Sequence, residues 1–220
     1  MYAIAIDGPA GAGKSSVAKA AAKALGFVYV DTGALYRTVG LYLLRSEVDP
    51  ADAEAVEPKL RDIQVDLKYE DGVQHVILNG EDVSGLIRTP EVSMAASACA
   101  SVPAVRKFLF SAQVDMAKKY NVIMDGRDIG TVVFPQAQLK VFLTASVEER
   151  ARRRYLELKE KGTEVSLEDL EKRIAQRDAL DENREISPLR CAEDARYLDS
   201  THLSIDQVTE QIAAMAREVL

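Results

Sequence analysis

Apolar positions along this chain change their period several times, and each change marks an element. The run from Tyr2 to Ile6, closed by Asp7, predicts a short buried strand, and the Ala- and Lys-rich stretch Ser15 to Leu25 predicts a helix. Phe27 to Val30 predicts a second strand ending at Asp31. Leu35, Val39, Tyr42 and Leu43 then recur at helical spacing from about Ala34 to Arg45. Asp49 to Lys59 is polar and reads as a surface connection with some helix. From Ile63 the period falls to two: Ile63, Val65, Leu67 and Tyr69 alternate with polar residues. Asp71-Gly72 supplies a hairpin turn, Val73 to Leu78 returns, Asn79-Gly80 turns again, and Val83 opens a third short strand.

Helical spacing resumes after Thr89-Pro90, as far as about Ala100, and again from Pro103 to about Tyr120. Asn121 to Asp125 and Leu139 to Leu143 predict two more apolar strands, and Arg196 to Asp199 a last short one. Ser146-x-x-Glu149, Ser166-x-x-Asp169 and Ser204-x-x-Gln207 have the spacing of helix-capping boxes. Alternating strands and helices predict an α/β fold, a mainly parallel sheet covered on both faces, with a small antiparallel β insertion over about 63–88. No internal repeat and no low-complexity segment interrupts it.

Composition narrows the class. Apolar residues make up 47% of 220, enough for a packed core and too many for a disordered chain. A net charge of −7 argues against a nucleic-acid-binding surface spread over the molecule, while leaving room for local basic clusters. Cys99 and Cys191 form no ligand pair and read as free buried thiols in a reducing compartment, and His75 and His202 lack metal-ligand spacing. No apolar run has the length of a membrane span, and Asp7 within the first strand argues against a signal peptide. No exposed heptad or long apolar patch is evident. A soluble, cytoplasmic monomer without membrane or nucleic-acid partners is expected.

The chemistry gathers after the strands, where ligands of open α/β sheets collect. Gly8, Pro9, Ala10, Gly11, Ala12, Gly13, Lys14 and Ser15 satisfy the phosphate-loop pattern G-x-x-x-x-G-K-[ST] between a strand and a helix. There, glycine backbone N–H groups and a helix N-terminus can surround phosphate oxygens. Lys14 adds positive charge, and the Ser15 hydroxyl can reach a magnesium ion or its water. A nucleoside triphosphate is the expected ligand. The second strand leads into Thr32 and Arg37, a hydroxyl and an arginine that could hold another phosphate or, equally, a capped helix with a surface arginine. The next strand ends in Asp125, placed like a Walker B carboxylate, followed by Arg127 and Asp128 between two glycines. Arg150, Arg152, Arg153 and Arg154 open a later helix, and Arg177, Asp181 and Arg184 share a face at spacings of four and three. Taken alone, each of these last two clusters reads as a solvated helix surface. Beside a phosphate loop they become candidates for neutralising a migrating phosphoryl group.

Four segments, in this order, resemble the bacterial cytidylate kinases, a family of nucleoside monophosphate kinases. They are Gly8 to Ser16, Asp31-Thr-Gly-Ala-Leu-Tyr-Arg37, Asp125-Gly-Arg-Asp-Ile-Gly-Thr-Val-Val-Phe-Pro135, and Arg177-Asp-x-x-Asp-x-x-Arg184. Glu81 to Ser84 and Ile87 to Thr89 resemble that family's insertion region. The resemblance covers essentially the full length. It implies a P-loop kinase core (1–31, 101–149 and 190–220), a monophosphate-binding region (32–100) that includes the β insertion, and a short helical lid (150–165). It further implies phosphorylation of CMP and dCMP by ATP with Mg2+.

Carried over by motif, Gly8 to Ser16 would bind ATP. Thr32, Arg37, Arg127 and Arg184 would hold the CMP phosphate, Arg177 and Asp181 the sugar, and Ser97, Arg106 and Asp128 the base. Lys14, Arg127 and the lid arginines would serve the transferred group, with Arg150 and Arg154 favoured because they share a face and Arg153 next. Ser15 and Asp125 would hold the metal through water. The sequence departs from the pattern in two places: Thr32 stands where serine is expected, and Ser16 where threonine is commoner. Among rivals, a kinase for UMP, AMP or shikimate fits the same loop. The chain lacks the Asn-Lys-x-Asp guanine-reading segment that a GTP-binding switch would carry, and a nucleic-acid-processing ATPase sits poorly with the acidic balance.

Overall fold

The computed structural model describes residues 1–70, 73–160 and 162–220. The turn expected at Asp71-Gly72 lies outside them. Five strands, β1 (Ala3–Asp7), β2 (Val28–Asp31), β6 (Val122–Gly126), β7 (Leu139–Thr144) and β8 (Arg196–Asp199), form one sheet in the order β2-β6-β1-β7-β8. Every pairing in it is parallel, with Ile4 opposite Ile123 and Leu139, Val30 opposite Met124, and Leu143 opposite Leu198. All five strands therefore point the same way, and their carboxyl ends share one edge.

The alternation within β1 divides the core. Ile4 and Ile6 face α1 (Lys14–Leu25) and α8 (Ile205–Val219), where Val17, Ala21, Val208 and Ile212 complete the packing. Ala3 and Ala5 face the opposite side with Val30, Met124, Ile129 and Val133. Glycine punctuates α1 at both ends: Gly13 enters it at φ 86° and Gly26 leaves it at φ 69°, its N–H donating to the Ala22 carbonyl. α8 is held by a complete capping box, Ser204 with Gln207.

A second core lies beside the sheet. α2 (Thr32–Arg45), α3 (Ala53–Lys59), α4 (Pro90–Cys99) and α5 (Pro103–Lys119) bury Leu35, Val39, Leu43, Val92 and Val105. They pack against Val76, Leu78 and Val83 of the insertion, an antiparallel sheet of β3 (Val65–Glu70), β4 (Val73–Leu78) and β5 (Glu81–Asp82). The third strand precedes Val83 rather than starting there. Val83 donates its N–H to the Val76 carbonyl and buries its side chain, so its apolarity marks a core contact just past the strand. α6 (Val147–Glu160) and α7 (Leu167–Asn183) pair across the carboxyl edge of the main sheet. At the start of α6 only half of the expected box forms. Ser146 Oγ accepts from the Glu149 N–H, while the Glu149 carboxylate is taken by Arg152 and Arg153. Of the two cysteines, Cys99 is buried and Cys191, contrary to expectation, is exposed; both are free thiols. No described helix is long and apolar enough to cross a membrane.

Candidate active site

The loop after β1 is shaped by what stands behind it. Gly8 sits at φ 148°, and a Cβ there would lie 1.9 Å from the Leu143 carbonyl oxygen of β7, so only glycine lets the chain turn this close to the sheet. Lys14 is buried, and its Nζ donates to the Pro9 carbonyl at 2.6 Å. Burial and then the neighbouring Arg127 guanidinium hold its ammonium well below the ordinary lysine range. Ser15 Oγ donates to Asp125 Oδ2 at 2.8 Å, and the Tyr29 hydroxyl to Asp125 Oδ1 at 2.9 Å. The Asp125 carboxyl is pushed up by burial and by Asp31. A hydroxyl and a carboxylate meeting at the foot of the loop are the oxygen donors a hard divalent cation takes. Among the described residues no cluster of three His, Cys, Asp or Glu side chains competes with them for a metal. Ser16 is exposed at the rim.

The arginines of α6 divide their work. Arg150 is buried: its Nη1 donates to the Ala10 carbonyl at 2.9 Å and to Asp178 Oδ2 at 2.6 Å, and its Nε to the Ala145 carbonyl at 2.8 Å. Arg150 is thus packed under the loop, although it shares a helical face with Arg154. Arg153 lies nearest the loop's end, its Nη1 3.9 Å from where a Cβ on Gly13 would stand, and it is held by Glu149 and Ser200. Arg154, partly exposed, pairs with Glu157 at 2.6 Å.

Beyond β2 and β6 a second cationic group assembles. Asp31 caps α2 through the Ala34 N–H, and its carboxylate takes both Arg37 at 2.9 Å and Arg88 at 2.7 Å. Thr32 Oγ1 donates to the Asp125 carbonyl at 2.7 Å. Arg127 Nε donates to Asp181 Oδ2 at 2.7 Å, and Arg177 Nε to Ser97 Oγ at 3.2 Å. Arg106 and Asp128 form an ion pair, with the Arg106 guanidinium 5.6 Å from the Tyr36 ring centre. Arg184 does not share the helical face expected of it, because α7 ends at Asn183 and Arg184 is extended. It still arrives, its Nη2 3.9 Å from Asp128 Oδ1.

Two buried donors in this group find no acceptor, Arg37 Nε and Arg184 Nη2. Burial lowers the pKa of both side chains. Arg177, buried and beside Arg127, is pushed down to about 10. Crowded guanidiniums with spare N–H groups are the complement of an anion.

Sequence reasoning passed over three carboxylates. Asp7 accepts from the Ile129 and Gly130 N–H groups at 2.9 and 2.7 Å and so holds the turn that follows Asp128. Asp31 appeared as a strand end and Asp178 inside a motif, neither with a role of its own. Asp31 had a visible signal, a strand-terminal acid six residues before an arginine, whereas Asp7 and Asp178 pair with residues far away in sequence.

The family model for cytidylate kinase matches residues 4–218. A cytidylate kinase of Caldicellulosiruptor saccharolyticus is 50% identical over 217 residues, which are 99% of this chain and 96% of that protein. A cytidylate kinase of Bacillus cereus is 50% identical over 216 residues, 98% of this chain and 96% of its own.

Proposed function

This chain belongs to the cytidylate kinase family, and we propose that it transfers the γ-phosphoryl group of ATP to CMP, giving ADP and CDP, with dCMP as a second acceptor. The Gly8–Ser16 segment holds the triphosphate. Arg37, Arg127 and Arg184, with the Thr32 hydroxyl, hold the acceptor phosphate. Asp181 and Arg177 take the sugar, and Ser97, Arg106 and Asp128 take the base. The observation that carries this reading is the pair of buried, unpartnered donors on Arg37 and Arg184. Unmade bonds of this kind are costly inside a protein and are recovered when a phosphate arrives.

In the reaction an oxygen of the CMP phosphate bonds to the γ-phosphorus as the bond to the bridging oxygen breaks, and ADP leaves with that oxygen. The attacking oxygen is already ionised, so no strong general base is needed. The protein contributes alignment and positive charge. Lys14 moves from the Pro9 carbonyl to the terminal phosphates, and Arg153, beside Gly13 at the loop's end, is the lid arginine for the migrating group. Arg154, at the surface with Glu157, joins it when the 150–165 lid closes. Ser15 and Asp125 would hold Mg2+ through water, and the ion would supply positive charge to the triphosphate.

The base readers fit cytosine. An ionised Asp128 accepts from the N4 amino group, while Arg106 and Ser97 donate to N3 and O2. For this the Arg106–Asp128 pair must open, each partner exchanging the other for the base. ADP release with ATP against CMP, dCMP, UMP, AMP and shikimate tests the whole reading. CMP and dCMP should dominate, and turnover of AMP or shikimate in their place would overturn it.

A further inference from the structure

One peptide unit of the loop is gripped from outside. The Ala10 N–H donates to Asp178 Oδ1 at 3.3 Å, and the Ala10 carbonyl accepts from Arg150 Nη1 at 2.9 Å. The two side chains are themselves joined at 2.6 Å, with 11% of the Asp178 side chain and 5% of the Arg150 side chain exposed. Arg150 is in turn tied to the Ala145 carbonyl, at the end of β7, so the grip is anchored to the sheet. The approach is close: a Cβ on Gly11 would stand 3.3 Å from Arg150 Cβ. An ion pair whose only task was to join α6 to α7 would have no need of a loop peptide between its arms.

Asp178 also has telling neighbours. On the same helix, Arg177 binds Ser97 and Asp181 binds Arg127. α7 thus touches the donor loop and the acceptor side within five consecutive residues.

We propose that Asp178, acting through Arg150 and directly on Ala10, is a positioning residue that sets the Gly8–Ser15 loop for ATP, and that α7 thereby couples ATP binding to CMP binding. The proposal rests on the reading of that loop as the triphosphate site. Neither residue touches the reacting atoms; both act on the backbone that does. Coupling of this kind is reciprocal, so CMP should tighten the site for ATP by the same factor as ATP tightens it for CMP.

The test measures KM for ATP and for CMP, and the affinity of a non-hydrolysable ATP analogue with and without CMP. Asp178→Asn should raise the ATP KM by about ten-fold, the loss of roughly one charged hydrogen bond. It should leave CMP affinity in the absence of nucleotide triphosphate unchanged and shrink the gain in analogue affinity that CMP brings. The double variant Arg150→Met with Asp178→Leu replaces the pair by apolar side chains of similar volume, which cores tolerate, and so separates positioning from stability. It should reproduce the ATP defect at an unchanged or higher melting temperature. An ATP affinity equal to wild type in this double variant, or a CMP affinity that falls in step with it, would overturn the proposal. Wild-type turnover of ATP with CMP is measured alongside. Its absence would remove the proposed reaction, while analogue binding would still report on the loop.

Discussion

Asp128 and Asp7 stand on either side of one turn and do opposite things with their charge. Asp128 is buried and balanced by Arg106 and, farther off, Arg184, so it can spend its negative charge on a ligand. Uracil would present a carbonyl to it and an N–H to Arg106 and Ser97, two mismatches costing roughly 1–3 kcal/mol each. Asp128→Ala should therefore lose CMP turnover and narrow the CMP-to-UMP ratio of kcat/KM by at least an order of magnitude. A ratio equal to wild type would remove the base-reading role.

Asp7 is bonded by backbone N–H groups rather than by a cationic side chain. Burial pushes its carboxyl up to about 6, against the pull of the Gly130 and Ile129 N–H groups. Its folded pKa thus lies above the unfolded value, so the stability it lends is full below about pH 4 and is lost as pH rises through about 6. A rise from 3.8 to about 6 corresponds to ~3 kcal/mol. Urea midpoints of wild type and Asp7→Asn, compared from pH 4 to 7, should diverge, wild type losing ground with rising pH; parallel profiles would refute this. At this scale the sequence was legible wherever a motif is local, as from Gly8 to Ser15 or Asp125 to Gly130. It favoured Arg150 for the transferred group and gave no sign of what Arg150 packs against. Spacing says which side chains share a helical face but not what that face meets, and the partner Asp178 lies 28 residues on.

Among the elements, the β insertion has a mechanical role that its alternating pattern could not announce. β2 is an edge strand of the main sheet, and β4 sends a side chain to continue its pairing. Gln74 Oε1 accepts from the Asp31 N–H at 2.9 Å, and its Nε2 donates to the Asp31 carbonyl at 3.3 Å. Tyr69 of β3 adds a bond to the Tyr29 carbonyl at 3.2 Å, and Arg88, beyond β5, reaches the Asp31 carboxylate. The insertion thereby braces the residue that orients Arg37. Gln74→Ala should cost about 1–2 kcal/mol of stability and raise the KM for CMP a few-fold, leaving the KM for ATP as it was. An ATP effect of equal size would place the insertion's influence elsewhere. Period and capping signals had placed most of these elements well. They erred where pairing, not pattern, defines an element: the two-residue strand Glu81–Asp82 has no alternation to detect, and Arg184 continues the spacing of α7 after its backbone has left the helix.

For the molecule as a whole, alternating strands and helices were enough to imply a parallel sheet, but not the order β2-β6-β1-β7-β8, because periodicity says nothing about which strands become neighbours. That order is what brings Asp31, Asp125 and Gly8 to adjacent strand ends. Arg37, Arg106, Arg127, Arg177 and Arg184 come within electrostatic reach of one another from α2, α5, the turn after β6, and α7 with the residue that follows it. The chain that carries them is net negative at −7. A nucleotide far from the surface meets a repelling monopole; within about 8 Å at physiological salt it meets the local field instead. The two views give opposite signs for one measurement. If net charge governed encounter, added salt would screen repulsion and raise kcat/KM for CMP. With capture governed by the arginine cleft, kcat/KM should fall steadily as ionic strength increases, so that an acidic protein shows the salt response of a basic one.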